Sequence, residues 1–352
     1  MTAQAAEPAS IRSIEAPQHP HTDYSVLLRQ VRAAGLLNRR PRYYLWHSAI
    51  VLLALIGGWA AVVVIGDSWW QLATAAFLAV VFGQLGFLGH DAGHRQITGL
   101  RRTDHLLGLL FGNFAIGIGT GWWTDKHNRH HAHPNTEDAD PDAMGVLALS
   151  SERARSGRGL RRVIFRYQGI LFFPMLLLEG WNLHVASVRA IARGTIRRRG
   201  FEAVMMFAHA AVYFGTVFLV LPPVKAIVFV FVHQGLFGLY LGMAFAPNHK
   251  GMPVLSAADK TDYLRRQVLT ARNIRGGLVT DIAFGGLNYQ IEHHLFPSMP
   301  RPNLRRAQPM VAAYCAGIEV PYLETGVLAS YAQSVGHLHA VGQSVRRTEP
   351  GR

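Results

Sequence analysis

The sequence predicts an all-α membrane protein with four transmembrane helices, and three observations carry that prediction. Half of the 352 residues are hydrophobic and only 16% are charged, whereas an ordinary soluble domain is about a quarter charged. The apolar residues gather into four charge-free runs, 45–66, 71–90, 203–221 and 226–246. About twenty such residues cross a hydrocarbon core of about 30 Å as a helix. Charge placement is the third observation. The runs pair through short connections, DSWW at 67–70 and PPVK at 222–225, and of 35 Lys and Arg residues only Lys225 lies in either. The rest fall in the N-terminal arm, between the two pairs, and in the C-terminal third, so the positive-inside rule puts those regions in the cytoplasm.

Two weaker apolar stretches, 106–123 and 163–181, lie between the pairs. If one of them crossed, the two chain ends would face opposite sides. If both crossed, the intervening segment would carry Lys126, Arg129 and five further arginines outside. Both are therefore expected to lie in, or dip into, the cytoplasmic interface. Residues 1–22 and 335–352 read as disordered polar tails around a single domain at 23–334. No apolar stretch precedes Leu45, so no signal peptide is expected. Cys315 is the only cysteine, which excludes an internal disulfide and a cysteine-based metal site. The net charge of +14 is mostly one basic face, densest at RRPRY (39–43) and RAIARGTIRRR (189–199). That face suits anionic lipid, an anionic substrate head or an acidic redox partner; no nucleic-acid partner is expected.

The histidines fall on the same side. GHDAGHRQ puts His90 and His94 at the end of the second run, and KHNRHH supplies His127, His130 and His131. Spacings of i, i+3 and i+4 line one face of a helix. NYQIEHHLFP adds His293 and His294, and APNHKG adds His249 at the exit of the last run. Eight neutral nitrogens exceed what one first-row ion takes and suit two metals with about four each, although imidazole binds Zn, Cu, Fe and Ni alike. Pro247 is expected to end the fourth span, because its ring blocks the helical hydrogen bond. His249 then stands just beyond the hydrocarbon, at the depth of His90.

HDAGH at 90–94, HNRHH at 127–131 and QIEHH at 290–294 resemble the three histidine boxes of the membrane fatty acid desaturases. The third box opens on Gln290 instead of histidine, which resembles the front-end and linoleoyl-CoA desaturase-like branch, as does GGLNYQIEHHLFPSMPR (285–301). The similarity covers roughly residues 40–310. It implies four membrane helices with a cytoplasmic helical cap and a centre of two non-haem iron ions held by the eight histidines, His249 completing the set. It also implies O2 as co-substrate and a double bond inserted into an acyl chain. The leading substrate is an acyl-CoA, and a lipid-bound chain is second. The fused haem domain of many relatives carries His-Pro-Gly-Gly, which does not occur here. Electrons are therefore expected from a separate ferredoxin, cytochrome or flavin reductase. The alternatives are a lipid hydroxylase with the same centre and, in a different class, a histidine-rich metal transporter.

Other residues carry lesser expectations. Gln290 is placed to reach a metal directly or through water, and Asn248 to hold a bridging water. Asp91 and Glu292 are candidates to orient imidazoles. Asn182 and His184 are candidates to line an acyl tunnel. His133 turns off the face shared by its neighbours. His47, His209 and His233, inside the spans, are expected as neutral rings bonded to nearby carbonyls. TEDADPDAM (136–144) lacks the glycine and closing glutamate of a calcium loop, and reads as a solvated acidic loop with reach to the groups behind the metal ligands.

Overall fold

The computed structural model describes residues 22–256 and 258–347, so all but Thr22 of the tail expected at 1–22, and the last five residues, lie outside it. The chain opens with α1 (Asp23–Ala33), capped by the Thr22 side chain, and continues into α2 (Pro41–Ile65) and α3 (Gln71–Gly93). Helix α4 (Arg101–Gly108) runs into a π-helical segment, Leu109–Ala115, and α5 (Thr120–Ala132) follows. Next come α6 (Ser151–Ser156), α7 (Leu160–Leu176) and α8 (Glu179–Ala192), then the second long pair, α9 (Arg199–Val220) and α10 (Pro223–His249). The remainder comprises α11 (Tyr263–Leu269), α12 (Leu278–Ala283), α13 (Gln290–Leu295), α14 (Arg301–Gly317) and α15 (Val327–Arg347). A two-residue parallel ribbon joins β1 (Asn273–Ile274) to β2 (Glu324–Thr325).

Helices α2, α3, α9 and α10 are long and apolar enough to cross a bilayer, as the charge-free runs predict. Their roles differ. Only 17% of the apolar window is buried in α2 and in α9, against 56% in α3 and 44% in α10. The first two therefore present their side chains to lipid, while α3 and α10 pack on one another as the inner pair. Both inner helices start beside the short connections, where Lys225 Nζ lies 2.5 Å from Asp67 Oδ1. They consequently run the same way and bring their C-terminal ends to one side. A close approach locks α10 to its other neighbour. A Cβ on Gly238 would sit 2.4 Å from Gly180 N, so only glycine fits there.

The two weaker apolar stretches do not run straight. Leu160–Leu176 and Glu179–Ala192 meet at 84°, and Arg101–Ala115 and Thr120–Ala132 turn through 114°. In the second case the break follows the π-helical segment and uses Gly117 at φ +70°, a left-handed conformation that glycine adopts at little cost. Asn113 Oδ1 then accepts from Thr120 N at 3.0 Å and starts α5.

A second apolar cluster, with Leu27, Leu264, Leu295, Val311 and Cys315 at its centre, unites α1, α11, α13 and α14 into the cap. Here two expectations need correction. Residues 335–347 are not a disordered tail; they complete α15, whose Leu338 and Val345 are fully buried. Its polar sequence misleads because one stripe, Leu338, Val341 and Val345, packs beside Phe165 and Phe172 of α7, while Ser330 and Ser334 just before it bond the Pro247 and Lys250 carbonyls at 2.9 Å each. Pro247 does not end α10 either, since the helix continues to His249. The backbone there is held from outside, with Arg272 Nε donating to Pro247 O at 2.6 Å.

Candidate metal centre

Four helices deliver the histidines. His90 sits in the last turn of α3 with His94 as its C-cap, and His249 is the last residue of α10. His127, His130 and His131 share one face of α5, and His293 and His294 stand on the short α13. All eight meet in one place. His90, His94, His127 and His293 form one group with ring nitrogens within 4.8 Å, and His130, His249 and His294 form a second. His131 lies between them: its ring stacks on His294 at 4.2 Å, while its Nε2 is 3.1 Å from His127 Nε2 and 3.0 Å from His293 Nε2.

The outer nitrogens are held by fixed partners. His130 Nδ1 lies 3.0 Å from both oxygens of Asp140, and His294 Nδ1 lies 2.9 Å from Gln267 Oε1. His249 Nδ1 faces the Thr270 carbonyl at 3.0 Å, and His90 Nδ1 lies 3.3 Å from Asp91 Oδ1. Each acceptor keeps the proton on Nδ1 and turns the Nε2 lone pair inward, the tautomer that a metal needs. Among these partners the sequence anticipates Asp91 by name and Asp140 only through its loop. Asp140 belongs to the loop expected to be solvated, yet it is fully buried. Its oxygens also accept from Asn135 N and Asp142 N, at 2.8 Å each.

Electrostatics agree with a set of neutral donors. Burial, and the neighbouring rings, hold His94, His127, His131, His293 and His294 well below the usual histidine range. His130 differs. Burial pulls it down, but the Asp140 and Asp142 carboxylates more than offset this and raise it.

The donor set fits a bound metal. Nε2 atoms pair within each group at 3.1 Å, His90 with His293 in the first and His249 with His294 in the second. Two imidazole nitrogens that share one ion at about 2.0–2.1 Å come about 3 Å apart. Buried His94 Nε2, His131 Nδ1 and His293 Nδ1 find no partner among the described residues, a costly state for polar atoms that face no water.

The remaining site expectations divide. Gln290 is buried beside the second group, its Nε2 2.9 Å from His249 Nε2. Asn248 Nδ2 donates to Leu287 O at 3.0 Å and faces Gln290 Oε1 at 3.3 Å, while its own Oδ1 is buried without a partner. Glu292 touches no imidazole. It accepts from Asn273 Nδ2 at 2.7 Å and Tyr322 OH at 2.8 Å, and burial raises it to about 7. His184 lines an apolar cavity of about 390 Å³ with Met206, Phe207, Ala210 and Tyr213. Asn182 is exposed outside that cavity and donates to Glu179 Oε2 at 3.2 Å. Of the three histidines inside spans, His209 Nδ1 meets the Phe114 carbonyl at 2.9 Å, as expected. His233 instead meets Tyr213 OH at 2.9 Å, and His47 meets Arg301 Nη1 at 3.3 Å.

Residues 67–326, which hold both groups of histidines, match the family model described as fatty acid desaturase. The acyl-lipid (9-3)-desaturase of Physcomitrium patens is 32% identical over 288 residues, covering 78% of this chain and 54% of the relative. The Delta(6)-fatty-acid desaturase fat-3 of Caenorhabditis elegans is 29% identical over 341 residues, 92% of this chain and 75% of the relative. The Delta(5) fatty acid desaturase fat-4 of the same animal is 30% identical over 314 residues, 85% and 69% of the two chains. The chain thus spans about half the length of the moss protein and about three-quarters of the longer-matched nematode one. With the matched region enclosing every helix that contributes a histidine, the chain belongs to the fatty acid desaturase family.

Proposed function

We propose that this chain is an O2-dependent acyl desaturase whose eight clustered histidines hold two non-haem iron ions. The observation that carries the reading is the convergence of α3, α5, α10 and α13, which turns nitrogens far apart in sequence into two adjoining donor sets. His90, His94, His127 and His293 would hold one ion, and His130, His249 and His294 the other, with His131 between them and Gln290 beside the second. Iron takes imidazole well and would supply the activation of O2. In balance, two hydrogens leave adjacent methylenes, two electrons and two protons arrive from a donor, and O2 leaves as two waters.

The protein's own residues orient and exclude. Asp91, Asp140, Gln267 and the Thr270 carbonyl fix the rings at their outer nitrogens. Burial keeps water from the clusters. The cavity beside His184 would receive part of the acyl chain, and placement of one methylene pair against the histidines would set the position of the new bond. Relatives named for bonds at the fifth, sixth and eighth carbons support a long-chain acyl substrate, carried as a CoA thioester or in a lipid. A separate ferredoxin, cytochrome or flavin reductase would supply the electrons. The clusters would face the cytoplasm, where the basic segments lie.

Expression in a host of known lipid composition, followed by mass spectrometry of its fatty acids, tests the proposal. New unsaturated species, absent when His293 is replaced by Ala, are expected. New hydroxy acids instead would assign the hydroxylase reaction, and altered metal uptake with unchanged lipids would sink the enzyme reading.

A further inference from the structure

A fully buried carboxylate is rarely without a paired cation, and Glu202 is an exception. It stands in the first turn of α9, is buried, and forms no ion pair among the described residues. Its partners are N–H groups. Oε2 accepts from Asn113 Nδ2 at 3.0 Å, and both oxygens accept from Gly121 N at 3.1 Å. Gly121 is the second residue of α5, the helix that carries His127, His130 and His131. A Cβ on Gly121 would sit 2.5 Å from Glu202 Oε1. The GTGWW stretch thus keeps a glycine where the carboxylate comes close.

Glu202 is one of three side chains that close the N-terminus of α5. Ser187 Oγ of α8 accepts from Gly119 N at 2.9 Å, and Asn113 Oδ1 of the π-helical segment accepts from Thr120 N at 3.0 Å. The first amides of a helix have no partner within it, and that end carries partial positive charge. The helix end itself supplies the charge that such a carboxylate needs. The other end of α5 is clamped as well. Gln267 Nε2 donates to His131 O at 3.0 Å and Arg266 Nη1 to Ala132 O at 3.1 Å. No proline interrupts the residues between. A rod held at both ends has one axial position. At 1.5 Å per residue, a displacement at Gly121 is carried to His127, about 9 Å away, and to His131, about 15 Å away.

The anion comes from a helix that otherwise faces lipid. His209 lies two turns after Glu202 on the same face of α9, and its Nδ1 donates to Phe114 O at 2.9 Å. Helix α9 therefore grips the π-helical segment at adjoining residues, Asn113 and Phe114. Of the two contacts, Glu202 alone reaches past that segment to α5. We infer that Glu202 is a positioning residue of the desaturase reaction. It makes α9 the strut that sets where α5 presents three of the eight histidines to the metals. The inference rests on the desaturase reading and concerns the placement of the ligands, not their identity.

Three variants of the full chain test it. Glu202→Gln keeps the size of the side chain, removes its charge and sets an NH2 group beside the Gly121 N–H. Gly121→Ala displaces the carboxylate from the other side of the same contact. His209→Phe is the control, because it loosens α9 from Phe114 without touching α5. The readouts are the Mössbauer spectrum of the iron-loaded protein, a competitive iron titration and steady-state kinetics with an acyl-CoA. In Glu202→Gln and Gly121→Ala the spectrum should change and iron affinity should fall roughly tenfold. There kcat should fall by up to about a hundredfold at unchanged KM, the loss that a misplacement of about 1 Å brings. His209→Phe should lower the melting temperature and leave the spectrum as it is. A wild-type spectrum, iron affinity and kcat in Glu202→Gln overturn the proposal, whatever the melting temperature. The same spectral change in His209→Phe also overturns it, since α9 would then be a general support. Should the wild type bind iron and desaturate no acyl chain, the desaturase reading fails, and the spectra and titration still decide the role of Glu202.

Discussion

Arg301 Nη2 lies 2.7 Å from Asp91 Oδ2, with both side chains buried. The pair joins the first residue of α14 to the last turn of α3 and continues inward, since Asp91 Oδ1 faces His90 Nδ1. Tyr44 OH, which accepts from Arg301 N at 3.1 Å, ties the same point to α2. A buried charge left without its partner costs about 3–5 kcal/mol. Arg301→Ala should therefore lower the melting temperature sharply and deplete bound iron. Arg301→Lys keeps the charge but not the fork, and should restore stability more than iron content. Equal iron in all three proteins would show that the pair does not orient His90.

Asp140→Asn keeps the shape of the loop and removes the anion behind His130. Loss of such a partner typically weakens a metal site 10–100-fold, so a competitive iron titration should show a weakened class of sites and one class unchanged. Uniform weakening of both would mean that the loop supports the fold in general.

His249→Ala should insert and fold normally, since the Arg272 and Ser330 contacts that hold the end of α10 run to the Pro247 carbonyl instead of the imidazole. Iron content should fall toward one ion per chain and desaturation should be lost. Two ions per chain with wild-type turnover would remove His249 from the centre.

Leu338 tests the corrected C-terminus. It is fully buried where α15 packs near Phe172, and truncating such a leucine costs about 2–5 kcal/mol. Leu338→Ala should lower the melting temperature by several degrees, whereas a side chain in a free tail would leave it unchanged.

Topology is tested at Asp67, whose side chain is 57% exposed beside Lys225. With Cys315 replaced by Ser, a cysteine at position 67 should react with a membrane-impermeant thiol reagent applied to intact cells. Labelling only after the cytoplasmic side is opened would invert the orientation proposed from the basic segments.

The spans and the box histidines were legible because both signals are local. A charge-free run declares its solvent, and i, i+3, i+4 spacing declares a shared face. Of the partners that aim the rings, Asp91 was legible beside His90, and those from distant elements were not. Gln267 and Thr270 reach His294 and His249 from α11 and its C-cap, across contacts that no spacing encodes. Asp140 was hidden by its company, because four acidic residues in nine suggest solvation and only the turn that buries one of them distinguishes it. Helix α15 misled for a related reason. Its last turns look polar in sequence, while in the fold a single stripe of Leu338, Val341 and Val345 is buried beside α7.

Seven of the eight histidines occupy the closing turns of α3, α5, α10 and α13, or the residue just past them, and His127 lies one turn earlier on α5. A helix carries roughly half a negative elementary charge at that end. Four such ends directed at one spot oppose the charge of bound cations without a single ionised ligand, and a peptide dipole has no proton to gain or lose. That share of the centre's electrostatic balance is written into the direction in which its helices run, and acid or base can alter it only by unfolding them.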